Sequence, residues 1–249
     1  MELERQNPQW EGGFFHPYEK KRFLFENLEH SLGSGMITAV HGLRRVGKSV
    51  LLKQLLNNCI QKGTSRKSTF YFSFDEQAAD FWETIREYER ISGEKLGRKN
   101  FIFLDEVQKV PDWKAKVKLL YDTSGARIAL CGSNSSKIRK GSESLAGRIN
   151  EFHLPQLSFA EFLHLRGKEE NPQLQHAAEL EFNEFLQKPF PQTALNPSLD
   201  PKEYAASIAK KIIFEDLPSV FPIDEPQLLH SLFSLICKNP GCMLEYSTV

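Results

Sequence analysis

The sequence predicts an α/β protein: a mostly parallel sheet between two layers of helices, a three-layer sandwich, followed by a smaller helical region. Three observations predict it. Short apolar runs at 36–40, 69–74, 101–104 and 126–131 alternate with stretches of helical spacing. Residues with chemical potential follow directly on those runs, where strand carboxyl ends lie and ligands bind in open α/β sheets. Beyond about residue 157 the strand-like runs stop and only helical spacing continues.

The elements follow in order. Residues 1–17 are polar with scattered aromatics and read as an arm laid over the domain. Residues 18–32 carry Phe23, Phe25, Leu28 and Leu32 at helical spacing and end in Gly33-Ser34-Gly35. The run 36–40 is a buried strand, and Val50, Leu51, Leu52, Leu55, Leu56 and Ile60 give the helix after it. A strand at 69–74, a helix at 75–91 and a strand at 101–104 come next. Pro111 suits the first turn of a helix over 111–121. A strand at 126–131 and a fifth at 149–154 complete the sheet, with right-handed crossovers. Helices are expected at 158–165, 176–187, 202–217 and 226–237, the last opening on a capping-box-like Asp224-x-x-Gln227. The domains expected are an arm at 1–17, a core at 18–165 and a helical region at 166–249.

Composition narrows the function classes. Lys+Arg and Asp+Glu are 32 each, so the formal charge is zero. That excludes a globally basic nucleic-acid coat and an acidic solvating tail. With 40% apolar residues and 19 Phe, there is ample material for a core. Cys59, Cys131, Cys237 and Cys242 are too scattered for a disulfide framework or a zinc site, and Cys131 reads as a small core residue. The opening residues lack the apolar stretch of a signal peptide, and no run approaches a membrane span. A cytoplasmic protein is expected.

The chemistry begins at Gly42-Leu43-Arg44-Arg45-Val46-Gly47-Lys48-Ser49-Val50. Gly42-x4-Gly47-Lys48-Ser49 is the P-loop pattern. A polyphosphate needs several backbone N–H donors converging on it. Glycines let the chain wrap closely, and the following helix adds free N–H groups and its positive end. Lys48 would reach the β- and γ-phosphates and Ser49 would ligate Mg²⁺. Arg44 and Arg45 would meet phosphate, a partner carboxylate or solvent.

The run Phe101-Ile102-Phe103-Leu104 ends in Asp105-Glu106. Asp105 would hold Mg²⁺ through water, and Glu106 would polarise the attacking water as general base. The pair favours hydrolysis. A GTPase would be expected to carry an Asn-Lys-x-Asp element, which is absent. After Cys131-Gly132, Ser133 and Asn134 are candidates to touch the γ-phosphate or the water. Arg148 could stabilise transition-state charge, in cis or from a neighbouring subunit. The basic runs at 137–140 and 114–118 lack interleaved aromatics, so charge does not support nucleic acid as a partner.

Several of these strings together resemble the prokaryotic AAA+-type P-loop ATPases, abundant in archaea, which carry a C-terminal domain of unknown function. The strings are Gly-Leu-Arg-Arg-Val-Gly-Lys-Ser at 42–49, Phe-Leu-Asp-Glu-Val-Gln-Lys-Val-Pro-Asp-Trp at 103–113, Gly-Ser-Asn-Ser-Ser at 132–136, Leu-Ala-Gly-Arg at 145–148 and Leu-Ser-Phe-Ala-Glu-Phe at 157–162. The resemblance covers about residues 20–165. It implies an ATP-binding core with the extra strand of the Glu-bearing class, and carries over Lys48, Ser49, Asp105, Glu106 and, in its Gly-Arg context, Arg148. A Gly-Gly-Phe/Tyr-Pro-Glu element is expected after the core; the nearest match, residues 188–192, lacks both glycines. Such proteins run well past 249 residues. Residues 235–249 read as the opening of a winged-helix unit cut short, so a truncated or degenerate member is expected, with an apolar helix face exposed near Leu232.

Two functions follow as expectations. One is Mg²⁺-dependent ATP binding and hydrolysis coupled to conformational change in the C-terminal region. The other is a nucleotide-dependent binding or regulatory module with little turnover. Either leaves a protein partner and an oligomeric state open. A P-loop kinase would need an acceptor pocket that the sequence does not reveal.

Overall fold

The structure is a computed structural model, and it describes residues 2–12, 19–75, 79–93, 95–132, 145–168, 174–219 and 221–241. It divides into two compact units, Met1–Leu195 and Asn196–Val249.

The first unit is built on five parallel strands: β1 (Ile37–His41), β2 (Thr69–Ser73), β3 (Phe101–Asp105), β4 (Arg127–Gly132) and β5 (Ile149–His153). Their order is β2-β3-β4-β1-β5. β4 therefore lies between β1, which leads into the P-loop, and β3, which carries the acidic pair. In register, His41 faces Gly132, Leu104 faces Leu130, and Ser73 faces Asp105.

Side chains alternate across the sheet. One face presents Ile37, Ala39, Phe70, Phe72, Ile102, Leu104, Ile128 and Leu130 to the main core. Helices α4 (Phe81–Ser92) and α5 (Trp113–Ser124) supply Phe81, Ile85, Tyr88, Trp113, Val117 and Leu120 to that core. Phe70 stacks on Tyr88 at 4.5 Å. By the same alternation Tyr71, Asp105 and Cys131 point to the opposite face. That face is covered by α2 (Phe25–Gly33) and α3 (Lys48–Gln61). The three-layer α/β arrangement is thus present.

The N-terminal arm, which opens with the short helix α1 (Glu2–Gln6), covers the outer edge of β2 with side chains. Asn7 Nδ2 donates to the Tyr71 carbonyl at 2.8 Å and the Tyr71 N–H donates to Asn7 Oδ1 at 2.7 Å. The Ser73 N–H donates to Gln6 Oε1, and Trp10 Nε1 donates to the Thr69 carbonyl, both at 2.8 Å. An edge strand offers unpaired backbone groups. Here side-chain amides and an indole satisfy them where a sixth strand would.

Several boundaries differ from expectation. α2 begins at Phe25, and Phe23 is exposed against His164. α4 starts at Phe81, because Asp80 caps the Glu83 N–H at 2.9 Å. Pro111 lies before α5, because Asp112 adopts a left-handed φ of 53° and forms the N-cap. The helix Phe159–Leu165 (α6) opens on a capping box of Ser158 and Glu161. Helices Leu174–Gln187 (α7) and Pro191–Leu195 (α8) belong to the first unit, past the expected boundary at 165. Leu157, Phe162, Leu163 and Leu165 form a second apolar cluster with Phe185, Ala194 and Leu195.

The second unit contains α9 (Pro201–Lys211), a wider turn at Ile212–Asp216 and α10 (Pro226–Lys238). The expected helix over 202–217 changes pitch at that turn, where the Leu217 N–H reaches the Ile212 carbonyl. α10 starts behind Glu225 without a side-chain cap, so Asp224-x-x-Gln227 is not a capping box. Leu228, Phe233, Leu235 and Ile236 of α10 are exposed. Among the described residues no helix is long and apolar enough to cross a membrane.

Candidate functional site

The site forms where β1, β4 and β3 end. At Gly42 an added Cβ would stand 2.2 Å from the Leu154 carbonyl oxygen, which lies just past β5. The approach is enforced by the Leu154 N–H, which donates to the His41 carbonyl at 2.8 Å. Gly47 has φ 102° and caps α3, a conformation that disfavours a side chain. Arg45 also adopts a left-handed φ of 66°. Between them Leu43 and Arg45 are exposed, Arg44 is half-buried, and Val46 is buried. The loop thus sends two of its longer side chains outward.

Lys48, at the first turn of α3, is buried. Its Nζ donates to the carbonyls of Gly42 at 3.0 Å and Leu43 at 2.7 Å. Burial pushes its ammonium below the ordinary lysine range, and the nearby Glu106 and Asp105 charges partly restore it. The parallel order β3-β4-β1 sets the lysine and the acidic pair at the same end of the sheet. Ser49 and Val50 follow, both half-buried.

Behind the loop stands Arg22, 5% exposed. It donates to the Val46 carbonyl at 2.7 Å, to the Pro155 carbonyl at 3.1 Å, and to both carboxylate oxygens of Glu161 at 2.7 and 2.9 Å. Glu161 also accepts from the Phe23 N–H at 3.1 Å. Burial raises the Glu161 carboxyl, but the Arg22 hydrogen bonds and charge outweigh it and hold the group below the usual range.

Asp105 ends β3 and is buried. Its Oδ1 accepts from Cys131 Sγ at 2.7 Å and from the Glu106 N–H at 2.9 Å; its Oδ2 accepts from the Tyr71 hydroxyl at 2.8 Å. Cys131 is fully buried, and burial followed by the Asp105 charge pushes its thiol well above the ordinary range. Glu106 sits in a left-handed conformation, φ 51°, and its carboxylate accepts from Gln108 Nε2. For a glutamate that backbone is strained, and such strain gathers at functional sites.

The structure brings together Gly42, Leu43, Arg44, Arg45, Val46, Gly47, Lys48, Ser49, Asp105 and Glu106 at one end of the sheet. Ser133 and Asn134 lie outside the described residues. Arg148 is not brought to this end. Its carbonyl accepts from the Ile37 N–H at the opposite end of β1, and its Nε donates to Asp122 at 2.8 Å. Five strand residues at about 3.3 Å each put it roughly 15 Å from the loop. It therefore cannot reach a phosphate bound in its own loop.

Sequence reasoning missed Arg22, Tyr71, Gln108 and the bonding role of Cys131. The Ser158-x-x-Glu161 spacing was a readable signal for Glu161; Tyr71 and Cys131 meet Asp105 only through strand order, which is not local. The segment 188–192 was the nearest match to the element expected after the core, and its lack of both glycines argued against a function for it. In the structure Pro191 Cγ lies 3.9 Å from the Cβ position of Gly47, so this segment borders the loop.

Among described residues no cluster of three or more His, Cys, Asp or Glu could hold a metal ion alone. The donors here are one hydroxyl and two carboxylates. That set suits a hard cation that keeps water and takes phosphate oxygens, as Mg²⁺ does.

Comparison with known proteins gives relatives along most of the chain. An uncharacterised protein of Haemophilus influenzae is 26% identical over 221 residues, covering 86% of this chain and 54% of its own. An uncharacterised protein of Methanocaldococcus jannaschii is 29% identical over 211 residues, covering 82% and 45%. The chain spans about half the length of these curated relatives. Among solved structures, AMPPCP-bound DnaA from Aquifex aeolicus aligns with TM-score 0.48 and 18% identity, over 82% of this chain and 65% of that one. The family described as "AAA domain" matches residues 34–163, more than half of the chain, from just before β1 into α6. The chain belongs to the AAA-domain family.

Proposed function

We propose that this chain binds ATP with Mg²⁺ at the β1–β4–β3 end of the sheet and hydrolyses its β–γ bond. The observation that supports this most is the strand order, in which only β4 separates β1, followed by the loop and Lys48, from β3, which ends in Asp105 and Glu106. The backbone of residues 42–47 and the start of α3 would cradle the phosphates. The Lys48 ammonium, already desolvated, would exchange loop carbonyls for phosphate oxygens. Ser49 and Asp105 would hold Mg²⁺, which when bound neutralises charge on the phosphates. Glu106 would take the proton of the attacking water through an acceptor position that Gln108 does not fill. Pro191 would form one wall of the nucleotide site.

Segment 188–195 borders the loop and continues from α7, so occupancy of the loop is read here as biasing the helices that follow the core. Arg148 would act only on nucleotide held by a neighbouring copy. A cytoplasmic setting and an unidentified protein partner complete the reading. A second reading, a nucleotide-dependent regulatory module with little turnover, draws on the Glu106–Gln108 bond, which stabilises the ionised carboxylate and so weakens it as a base. Steady-state hydrolysis of ATP against GTP, with and without Mg²⁺, separates the two. Glu106→Gln should keep ATP binding and lose turnover; a near-normal rate removes the residue from its role.

A further inference from the structure

An ionised carboxylate has about four lone-pair positions. At Asp105 three are filled: Oδ1 accepts from Cys131 Sγ and the Glu106 N–H, and Oδ2 accepts from the Tyr71 hydroxyl. The open position is on Oδ2. No lysine or arginine among the described residues forms an ion pair with this carboxylate, and all three of its donors are neutral. Neutral donors orient a carboxylate without cancelling its charge; a guanidinium would do both.

Both side-chain donors are fixed. Tyr71 is 3% exposed, and Asn7 holds its N–H and its carbonyl from the sheet edge. Lys53 Nζ lies over its ring at 4.9 Å. Cys131 is 0% exposed and stands on the strand next to Asp105. A buried tyrosine hydroxyl needs a polar partner, and here it takes Asp105, where a phenylalanine would have filled the core as well.

We propose that Tyr71 and Cys131 are positioning residues that fix the Asp105 carboxylate so that its one open Oδ2 position receives a water of nucleotide-bound Mg²⁺. This rests on the ATP–Mg²⁺ reading above. Outer partners of metal-proximal groups change metal affinity by about 10- to 100-fold when removed.

The test uses the purified full chain and a fluorescent ATP analogue. MgCl₂ is titrated at fixed subsaturating nucleotide to give a half-saturating concentration, and nucleotide affinity is measured separately in EDTA. Tyr71→Phe and Cys131→Ala should each raise the half-saturating Mg²⁺ by about tenfold or more, with affinity in EDTA within about twofold of wild type. Cys131→Ser, which keeps a donor, should restore most of the difference. An unmoved Mg²⁺ midpoint in folded Tyr71→Phe, or a shift matched by an equal loss of affinity in EDTA, overturns the proposal. Should Cys131→Ala fail to fold, Tyr71→Phe, which removes a single oxygen, decides the matter. If wild type binds no nucleotide in either buffer, the ATP reading itself falls; wild-type binding with unmoved variants sinks only the positioning role.

Discussion

Arg22 grips Glu161 through both carboxylate oxygens and, with the same guanidinium, holds the Val46 carbonyl inside the phosphate loop. One buried ion pair thus ties the loop's outer curve to the first turn of α6. Removing one partner of such a pair leaves an uncompensated buried charge and costs about 3–5 kcal/mol. Arg22→Ala should lower stability by an amount in that range, read by urea denaturation. Arg22→Lys keeps charge but cannot span both Glu161 and the Val46, Pro155 and Gln156 carbonyls that Arg22 reaches, and should weaken nucleotide binding more than its stability loss explains.

The same pair sets a pH dependence. Glu161 has its folded carboxyl below the ordinary value of 4.5. Its contribution is therefore complete above about pH 4.5 and is lost as pH falls through the lower, folded value. The melting temperature of Glu161→Gln should lie below wild type at neutral pH, and the gap should narrow as pH falls beneath 4.5. A constant gap from pH 7 to pH 3 would show that the ionised form contributes nothing.

Gly42 is predicted to tolerate no side chain. In Gly42→Ala the new Cβ would meet the Leu154 carbonyl at 2.2 Å, and backbone on both sides must move. Nucleotide binding should fall by at least about tenfold, alongside a lower melting temperature, because distortion of that size costs more than about 1.4 kcal/mol. Calorimetric titration of the folded variant checks it.

Asn7→Ala removes both bonds to Tyr71 and leaves its N–H and carbonyl without those partners at the sheet edge. Each unsatisfied buried group costs about 1–3 kcal/mol. A loss of about 2–4 kcal/mol is expected, measured by chemical denaturation, with Asn7→Asp intermediate since it retains only the acceptor. A variant as stable as wild type would mean that the arm does not cap β2.

What was legible in the sequence was local. The four apolar runs marked β1 to β4 because those strands are short and buried, whereas β5, expected at 149–154, is half-polar and partly exposed. Gly42-x4-Gly47-Lys48-Ser49 and Asp105-Glu106 stood out because polar residues follow those runs directly. Helix starts were less legible: Asp80 and Asp112 set them through cap geometry that competes with apolar spacing. What was not legible was lateral. Cys131 looked like a core residue, since nothing in its own run tells that β4 lies beside β3 and turns its thiol toward Asp105. Arg148 looked like a phosphate contact from its Gly-Arg context. Its place at the far end of β1 depends on the direction and pairing of β5, which its neighbours in sequence do not encode.

We infer a nucleotide phosphate site organised by Lys48. Calorimetric titration of the purified chain with ATP and MgCl₂, beside Lys48→Ala at the same concentration, tests it most directly. Saturable binding by wild type, about one nucleotide per chain, and none by a folded Lys48→Ala is the predicted result. Equal binding by both, or none by wild type, would contradict it.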